Sequence, residues 1–159
     1  MTIAYVGIGS NLDEPQTQVE RAMLELDRVA HSRVVKRSSL YRSAPVGFAD
    51  QPDFINAVAQ LETGVSADRL LCELQEIESR HGRKRSFANA PRSLDLDLLL
   101  FGNSQLKTRD LTLPHPRMHE RAFVLKPLLE ISPEVSIPGL GPARALLKNV
   151  ENQVAERLG

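Results

Sequence analysis

The apolar residues of this chain change their spacing several times, and the order of those changes constrains the fold more than any other feature. Short runs with strand character alternate with longer runs in which apolar residues recur every three or four positions, as on one face of a helix. The strand-like runs cover residues 3–9, 34–41, 54–61 and 94–101. One helix-like run begins at Pro15, and a second covers residues 66–81. The predicted order is therefore β-α-β-β-α-β.

This order is typical of ferredoxin-like α+β domains, in which both helices cover one face of an antiparallel sheet. The last third of the chain predicts extra C-terminal helices, one over residues 121–129 and one after Gly141 that continues to Leu158. The Pro-rich stretch 133–142 between them is interpreted as a connector. We therefore expect residues 1–159 to form a single α+β domain.

The charges of the chain exclude several classes of partner. Lys and Arg together number 20, and so do Asp and Glu, so no overall field would attract nucleic acid or anionic membranes. The one cysteine, Cys72, excludes an internal disulfide. No apolar run is long enough to span a bilayer, and the first residues lack the features of a signal peptide. We expect a cytoplasmic protein with no nucleic-acid and no membrane partner.

Two carboxylates, Asp95 and Asp97, interrupt the last apolar strand. Alternation along a strand turns both side chains to one face, with Cα atoms about 7 Å apart, while the neighbouring leucines turn to the core. Adjacent carboxylates repel each other unless a cation compensates them, and their oxygens suit Mg²⁺. The pair predicts a metal site; the alternatives are a solvated strand face or pairing with Arg83, Arg85 or Arg92.

A cluster of basic residues precedes this strand and consists of Arg80, Arg83, Lys84, Arg85 and Arg92. Arginines beside metal-binding carboxylates match the needs of a metal–triphosphate complex, because they bind phosphate oxygens with paired hydrogen bonds. A solvated loop is the alternative, which we prefer for Lys84. The chain has no Walker or dinucleotide-binding glycine motif, so side chains and metal would hold the phosphates.

Two further motifs carry weaker signals. Gly7 and Gly9 lack the spacing of a phosphate loop, and we interpret them as a turn with close packing. His115 and His119 have a spacing found in zinc sites, but no third His or Cys ligand lies nearby in the sequence. We interpret His115 as a phosphate ligand, His119 as solvated and Arg121 as a further phosphate contact.

Five blocks of the sequence, in order, resemble the signatures of the 6-hydroxymethyl-7,8-dihydropterin pyrophosphokinases. The most specific is Ala-Pro-Arg-Ser-Leu-Asp-Leu-Asp-Leu-Leu, from Ala90 to Leu99. The others cover residues 9–12, 41–45, 51–57 and 113–115 together with 121–123. The likeness extends over nearly the whole chain.

The resemblance implies an enzyme that works as a monomer with ATP and two Mg²⁺. It would transfer pyrophosphate from ATP to 6-hydroxymethyl-7,8-dihydropterin, a step of folate biosynthesis, and release AMP. Asp95 and Asp97 match the family's metal ligands, and Arg83 and Arg92 match its phosphate-binding arginines. The nucleotide-side positions are Gln75, Glu78, Arg85, Thr112, His115 and Arg121. The pterin-side positions are Phe54, Asn56 and Phe123, with the backbone of Ser43, Ala44, Pro45 and Val46 at the polar edge of the ring.

The chain departs from the family's pattern in two places. Asn89 stands where many members have Trp, and Pro116 follows His115 where an aromatic residue is often found. Phe87 is a candidate for the missing ring. We expect the segment 83–90 to close over bound ligands.

Two other classes of protein share parts of this pattern. A two-metal phosphohydrolase or nuclease also uses Asp-x-Asp on a strand, but usually with several further acidic or His ligands. An RNA-binding ferredoxin-like module would need exposed aromatic residues on its central strands and a basic face. Tyr5 is one of the few aromatic candidates, and the overall charge is neutral.

Overall fold

The structure is a computed structural model that describes residues 1–45, 50–82 and 93–158. In chain order its elements are β1 (Thr2–Ser10), α1 (Pro15–Leu26), β2 (Ser32–Arg37), β3 (Tyr41–Ser43), β4 (Phe54–Thr63), α2 (Ala67–Arg80), β5 (Asp95–Phe101), β6 (Leu106–Lys107), β7 (Thr112–Leu113), α3 (Ala122–Ile131), β8 (Ser136–Ile137), β9 (Gly141–Pro142), α4 (Ala143–Leu147) and β10 (Ala155–Arg157). Short 3₁₀ helices cover Met118–Glu120 and Lys148–Val150. Across these ranges, every helix is too short or too polar to cross a membrane.

Six strands form one antiparallel sheet in the order β10-β3-β4-β1-β5, with β2 also paired to β4. β1 pairs with β4 along its whole length, from Thr2 opposite Thr63 to Ser10 opposite Ile55. β5 pairs with the other side of β1. The predicted α+β class with an antiparallel sheet is therefore confirmed. β6 with β7, and β8 with β9, form two small separate hairpins.

The two faces of the sheet are covered by different helices. α1 and α2 pack on one face, where Val6 and Ile8 of β1 and Leu96 and Leu98 of β5 are buried. α3 packs on the opposite face, where Tyr5 is buried. The period-two alternation of strand side chains thus separates two apolar cores.

The ends of α2 follow the sequence closely. Ser66 is the N-cap, and its Oγ accepts a hydrogen bond from the Arg69 N–H at 3.1 Å, which satisfies one of the unpaired amides of the first turn. Gly82 has φ +77° directly after the last turn, a conformation that glycine adopts without strain. The helix predicted over residues 66–81 is confirmed.

The strand predicted over residues 34–41 is divided into β2 and β3, and both parts pair with β4. The break lies at Ser38, whose Oγ accepts a hydrogen bond from the Val58 N–H at 2.9 Å. Its own N–H donates to the Val58 carbonyl, also at 2.9 Å. A serine hydroxyl therefore takes the place of a backbone carbonyl in the ladder, a local competition that hydrophobic periodicity does not reveal.

The helix predicted to continue to Leu158 is wrong beyond Val150. The side chain of Gln153 bridges two backbone groups, accepting from the Ala122 N–H at 2.9 Å and donating to the Glu120 carbonyl at 2.8 Å. Residues beyond it form β10, which pairs with β3. The apolar spacing imitates a helix there, but Val154 is 64% exposed.

Glu130 of α3 joins three elements of the α3 face. It accepts hydrogen bonds from the Ser39 N–H and hydroxyl at 2.9–3.1 Å and from the Tyr41 hydroxyl at 2.8 Å. Arg157 of β10 lies 3.8 Å away. Burial opposes ionisation of Glu130, but the hydrogen bonds from Tyr41 and Ser39 and the charge of Arg157 outweigh it and lower its pKa. In turn, burial first, and then the hydrogen bond and negative charge of Glu130, together raise the pKa of Tyr41 to about 12, against the opposing charge of Arg157.

We expect Glu130→Gln to lower the pKa of Tyr41 from about 12 toward its ordinary 10.0, because the substitution removes the negative charge beside the phenol. Tyrosinate absorbance against pH measures this. The background is Tyr5→Phe, which leaves Tyr41 as the single tyrosine, since the chain has 2.

The same coupling affects stability. Because folding raises the pKa of Tyr41, its contribution to the free energy of unfolding is complete below pH 10.0 and is lost as the pH rises toward about 12. Glu134→Gln is the matched control, since this carboxylate pairs with Arg144 and is 80% exposed. An unchanged tyrosine titration in Glu130→Gln would contradict the coupling.

Candidate active site

A pocket opens on the α3 face of the sheet, beside the first turn of α3. It brings together residues from β1, β3, β4, β5 and α3 that are far apart in the chain. The sequence-predicted site residues that line it are Ser43, Ala44, Phe54, Asn56, Asp95, Asp97, Arg121 and Phe123.

Gly7 and Gly9 form part of the floor of this pocket. The predicted turn at these glycines is wrong, because β1 continues through them to Ser10. A Cβ added at Gly9 would lie 3.3 Å from Asn56 Oδ1, so any side chain here would occupy the pocket. The sequence did not lead us to expect that these two glycines line the pocket. The available signal was their spacing of two residues, which places both on one face of a strand.

Asn56 lies in the central strand β4, and its side chain is 4% exposed. Its Nδ2 donates to Ser43 Oγ of β3 at 2.7 Å, in a buried hydrogen bond. This partner orients the amide, and the carbonyl oxygen Oδ1 is the atom that a Cβ on Gly9 would approach most closely. Asn56 therefore presents a fixed polar group at the floor of an otherwise partly apolar pocket, which is what recognition of a polar ring edge requires.

Asp95 and Asp97 project from β5 into the pocket, and Leu96 between them is buried in the opposite core. The alternation predicted from the sequence is therefore confirmed. β5 is an edge strand, and its Leu96 N–H donates to Glu78 Oε2 of α2 at 2.7 Å. That hydrogen bond connects α2 directly to the backbone between the two aspartates.

A β-bulge in β5 brings His115 to the aspartates. Tyr5 pairs with Leu100, but the next residue of β1 pairs with Leu98, so Leu99 has no partner on β1. The Leu99 carbonyl accepts a hydrogen bond from the His115 N–H at 2.9 Å. This places His115 Nε2 3.8 Å from Asp97 Oδ1.

His115 is neutral at pH 7. Burial first, and then the charge of Arg121, lower its pKa to about 4, against the opposing effect of Asp95. Its Nδ1 accepts a hydrogen bond from the Arg117 N–H at 3.1 Å, so the proton resides on Nε2. His115 therefore offers one N–H donor, and no positive charge, beside Asp97.

Arg121 and Phe123 line the pocket together at the start of α3. The Arg121 guanidinium carbon lies 5.5 Å from the centre of the Phe123 ring, which is within range of a cation–π interaction. A flat cationic group and an aromatic ring thus adjoin where the acidic and apolar parts of the pocket meet.

Other predicted residues lie elsewhere. Gln75 and Glu78 belong to α2 and Thr112 to β7, and these three, with Pro45, do not line the pocket. Glu78 accepts the hydrogen bond from the Leu96 N–H described above. Val46, Arg83, Arg85 and Arg92 lie outside the described residues, as does the segment 83–90 that we expected to close.

The acidic part of the site fits a magnesium–nucleotide complex. Asp95 and Asp97 are only half-buried and face an open pocket. Within the described ranges no group of three or more His, Cys, Asp or Glu side chains could hold a metal. Mg²⁺ commonly binds through one or two carboxylates and takes its remaining ligands from water and substrate phosphates. The same finding gives no support to zinc at His115 and His119.

The chain is similar to known proteins over most of its length. Residues 5–133 match the family model described as 7,8-dihydro-6-hydroxymethylpterin-pyrophosphokinase (HPPK). A 2-amino-4-hydroxy-6-hydroxymethyldihydropteridine pyrophosphokinase from Haemophilus influenzae is 44% identical over 87% of this chain and 86% of its own. The protein of the same name from Pseudomonas aeruginosa is 46% identical over 84% of this chain and 83% of its own.

Solved structures agree at the level of the fold. An HPPK-DHPS crystal structure in complex with substrates superposes with a TM-score of 0.74 and 15% identity, and covers 93% of this chain. The wild-type Plasmodium falciparum HPPK-DHPS with pteroate gives 0.74 and 14%, and covers 94% of this chain. The match spans 43% and 42% of those longer chains. With the family model matched from β1 into α3, this chain belongs to the 7,8-dihydro-6-hydroxymethylpterin-pyrophosphokinase family.

Proposed function

We propose that this protein transfers pyrophosphate from ATP to the hydroxymethyl group of 6-hydroxymethyl-7,8-dihydropterin, and so forms AMP and the pterin diphosphate in folate biosynthesis. One observation carries the proposal beyond family membership. A single pocket joins a partly apolar region to an acidic region. The first is lined by Phe54, Phe123 and the oriented amide of Asn56, and the second by Asp95 and Asp97. A pterin and a metal-bound triphosphate need these two environments side by side.

The pterin would occupy the part of the pocket over Gly7 and Gly9. Phe123 would stack on the ring, and Asn56 Oδ1 would accept a hydrogen bond from a ring N–H or amino group. The backbone from Ser43 to Val46 would meet the remaining polar edge. Since Asn56 is already held by Ser43 at 2.7 Å, little ordering is needed when the pterin binds.

The nucleotide would lie on the acidic side of the pocket. Arg121, with Arg83 and Arg92, would neutralise phosphate oxygens, and His115 Nε2–H would donate to one of them. His115 is unsuited to act as a general base, because burial and the charge of Arg121 lower its pKa to about 4 and its Nδ1 accepts a hydrogen bond from the Arg117 N–H. Catalysis therefore relies on placing the hydroxymethyl oxygen in line with the β-phosphorus and on neutralising charge.

Asp95 and Asp97 would hold the Mg²⁺, for which we propose two ions. Bound there with ATP, the metal supplies charge neutralisation of the phosphate oxygens. The aspartates themselves would orient the complex from β5. Gln75, Glu78 and Thr112 would support the nucleotide from outside the pocket, and we propose Arg85 as a further nucleotide contact.

Several finer statements belong to the same proposal. We propose that residues 1–159 act as one domain and as a monomer in the cytoplasm. We interpret the strand order as the split βαβ arrangement of ferredoxin-like domains, with β2 and β3 together forming its second strand.

The deciding experiment measures AMP formation with ATP, Mg²⁺ and the reduced pterin alcohol. We expect AMP and the pterin diphosphate only when the pterin is present. Chromatography separates the products. ADP with a pterin monophosphate, or nucleotide hydrolysis that does not depend on the pterin, would refute the proposal and favour a phosphohydrolase.

Asp97→Asn is expected to lower kcat by about 10³-fold or more while the fold survives, since loss of a metal ligand removes several kcal/mol of charge stabilisation from the transition state. Asp95→Asn should behave similarly. The control, Asp110→Asn, neutralises an exposed aspartate. Near-normal turnover in folded Asp97→Asn would show that the metal is held elsewhere.

Gly9→Ala is expected to raise the KM for the pterin about tenfold, equivalent to about 1.4 kcal/mol, with little change in the KM for ATP. The added Cβ would lie 3.3 Å from Asn56 Oδ1 and would displace the amide. Gly64→Ala is a matched control, because its Cβ would also lie 3.3 Å from the nearest atom, Sδ of Met1, away from the pocket. Equal pterin KM values in the two variants would place the pterin elsewhere.

A further inference from the structure

The start of α3 is held by a side chain from much later in the chain. Arg121 is the N-cap residue of α3, and its own side chain forms no capping hydrogen bond there. Gln153 supplies that contact instead: its Oε1 accepts from the Ala122 N–H at 2.9 Å, and its Nε2 donates to the Glu120 carbonyl at 2.8 Å. The proposed reaction gives Gln153 no role, and residues 5–133, which match the family model, end before it.

These two hydrogen bonds enclose Arg121. The Glu120 carbonyl belongs to the peptide unit before Arg121, and the Ala122 N–H belongs to the peptide unit after it. Arg121 has φ −126° and ψ 111°, and in such an extended residue these two groups point to the same side of the chain. A primary amide offers an acceptor and a donor side by side. Gln153 therefore matches the extended conformation of Arg121 and opposes rotation about its φ and ψ.

The residue type at position 121 makes this contact from a distant residue informative. Ser, Thr, Asp and Asn are preferred at an N-cap, because their oxygens satisfy the first amides of the helix. An arginine lacks such an oxygen, and its charge adjoins the positive end of the helix dipole. Because Gln153 supplies the missing acceptor, Arg121 can occupy the N-cap position and line the pocket. A guanidinium beside a helix N-terminus is suited to bind an anion, as the proposed phosphate contact requires.

Gln153 is exposed, but the backbone on both sides of it is held. Its own N–H donates to the carbonyl of Val150 at 3.0 Å, and Val150 is buried. Two residues later, Ala155 of β10 is buried and pairs with Ser43 of β3. The Ala155 carbonyl also accepts a hydrogen bond from Lys126 Nζ of α3 at 3.0 Å. The start of α3 is therefore connected through Gln153 to β3, which also lines the pocket.

We propose that Gln153 is a positioning residue: it fixes the backbone of Arg121 and so holds the guanidinium in the pocket, where the phosphates of the nucleotide would bind. This inference rests on the proposed function for its effect on turnover, and Arg121 alone would contact the substrate. Without Gln153, Arg121 would sample more values of φ and ψ, and its guanidinium would spend less time where it neutralises phosphate charge.

The first test needs no activity and uses amide exchange measured by NMR. Gln153→Met keeps the length of the side chain and removes both polar groups. The Ala122 N–H should then exchange about tenfold faster, because its acceptor is lost. The matched control is Gln16→Met, at an exposed glutamine of α1 on the other face of the sheet, which should leave this exchange unchanged. Equal exchange of Ala122 in the unaltered protein and in Gln153→Met would overturn the proposal.

The second test separates positioning of Arg121 from general support of the fold. It uses a temperature at which circular dichroism shows every variant fully folded. Gln153→Met should lower kcat/KM for ATP about fivefold, the size of one net hydrogen bond. In the Arg121→Met background the same substitution should change kcat/KM by less than about twofold, because the group that Gln153 positions is gone. The control Gln16→Met should have no effect in either background.

The outcomes distinguish this inference from the proposed function. An equal loss of kcat/KM in both backgrounds would mean that Gln153 does not act through Arg121, and would refute the positioning role alone. Unchanged kcat/KM in folded Gln153→Met would do the same. If the unaltered protein forms no pterin-dependent AMP, the proposed function fails and the role in turnover fails with it, whereas the exchange of Ala122 still decides whether Gln153 holds the start of α3.

Discussion

The alternation of side chains across β1, β4 and β5 is the constraint on which the rest of this structure depends. One set of alternate residues, such as Val6, Ile8 and Leu96, is buried beneath α1 and α2. The other set faces α3, and several of its members line the pocket, among them Asn56, Asp95 and Asp97. Because each strand serves both faces, the same pairing that forms the core also fixes the distances between chemical groups in the site.

Two irregularities, at Leu99 and at Ser38, interrupt the pairing of the sheet. The bulge at Leu99 leaves a carbonyl that holds His115, and the break at Ser38 separates β2 from β3. After that break, Ser39 and Tyr41 are tied to Glu130. The pocket residues Gly9, Asn56 and Ser43 themselves lie in regular pairing. The bulge and the break therefore attach flanking residues to the sheet beside the pocket, as bulges often do near functional sites.

The sequence predicted the antiparallel sheet and the two helices that cover one of its faces, because these follow from the periodicity of the apolar residues. Of the predicted residues that line the pocket, Asp95 and Asp97 were indicated by their spacing on a strand, and the others were implied mainly by the resemblance to a known family. The sequence did not predict β10, because Val154 and Leu158 continue a helical spacing, and only the side-chain bridge of Gln153 to Glu120 and Ala122 ends it. It also gave no sign that the Glu78 carboxylate accepts a hydrogen bond from the Leu96 N–H. Such choices between partners depend on distances in three dimensions and leave no periodic signal.

The two glycines that line the floor of the pocket limit how point mutation can alter the site. A floor made of main chain offers no side chain to shorten, so point mutation at Gly7 or Gly9 can only add atoms. An addition at Gly9 would lie 3.3 Å from Asn56 Oδ1 and would occupy space in the pocket, whichever ligand reaches that depth. Inhibitors that rest on these two residues would therefore leave few routes to resistance there, whereas those that rely on Phe54 or Phe123 would leave more.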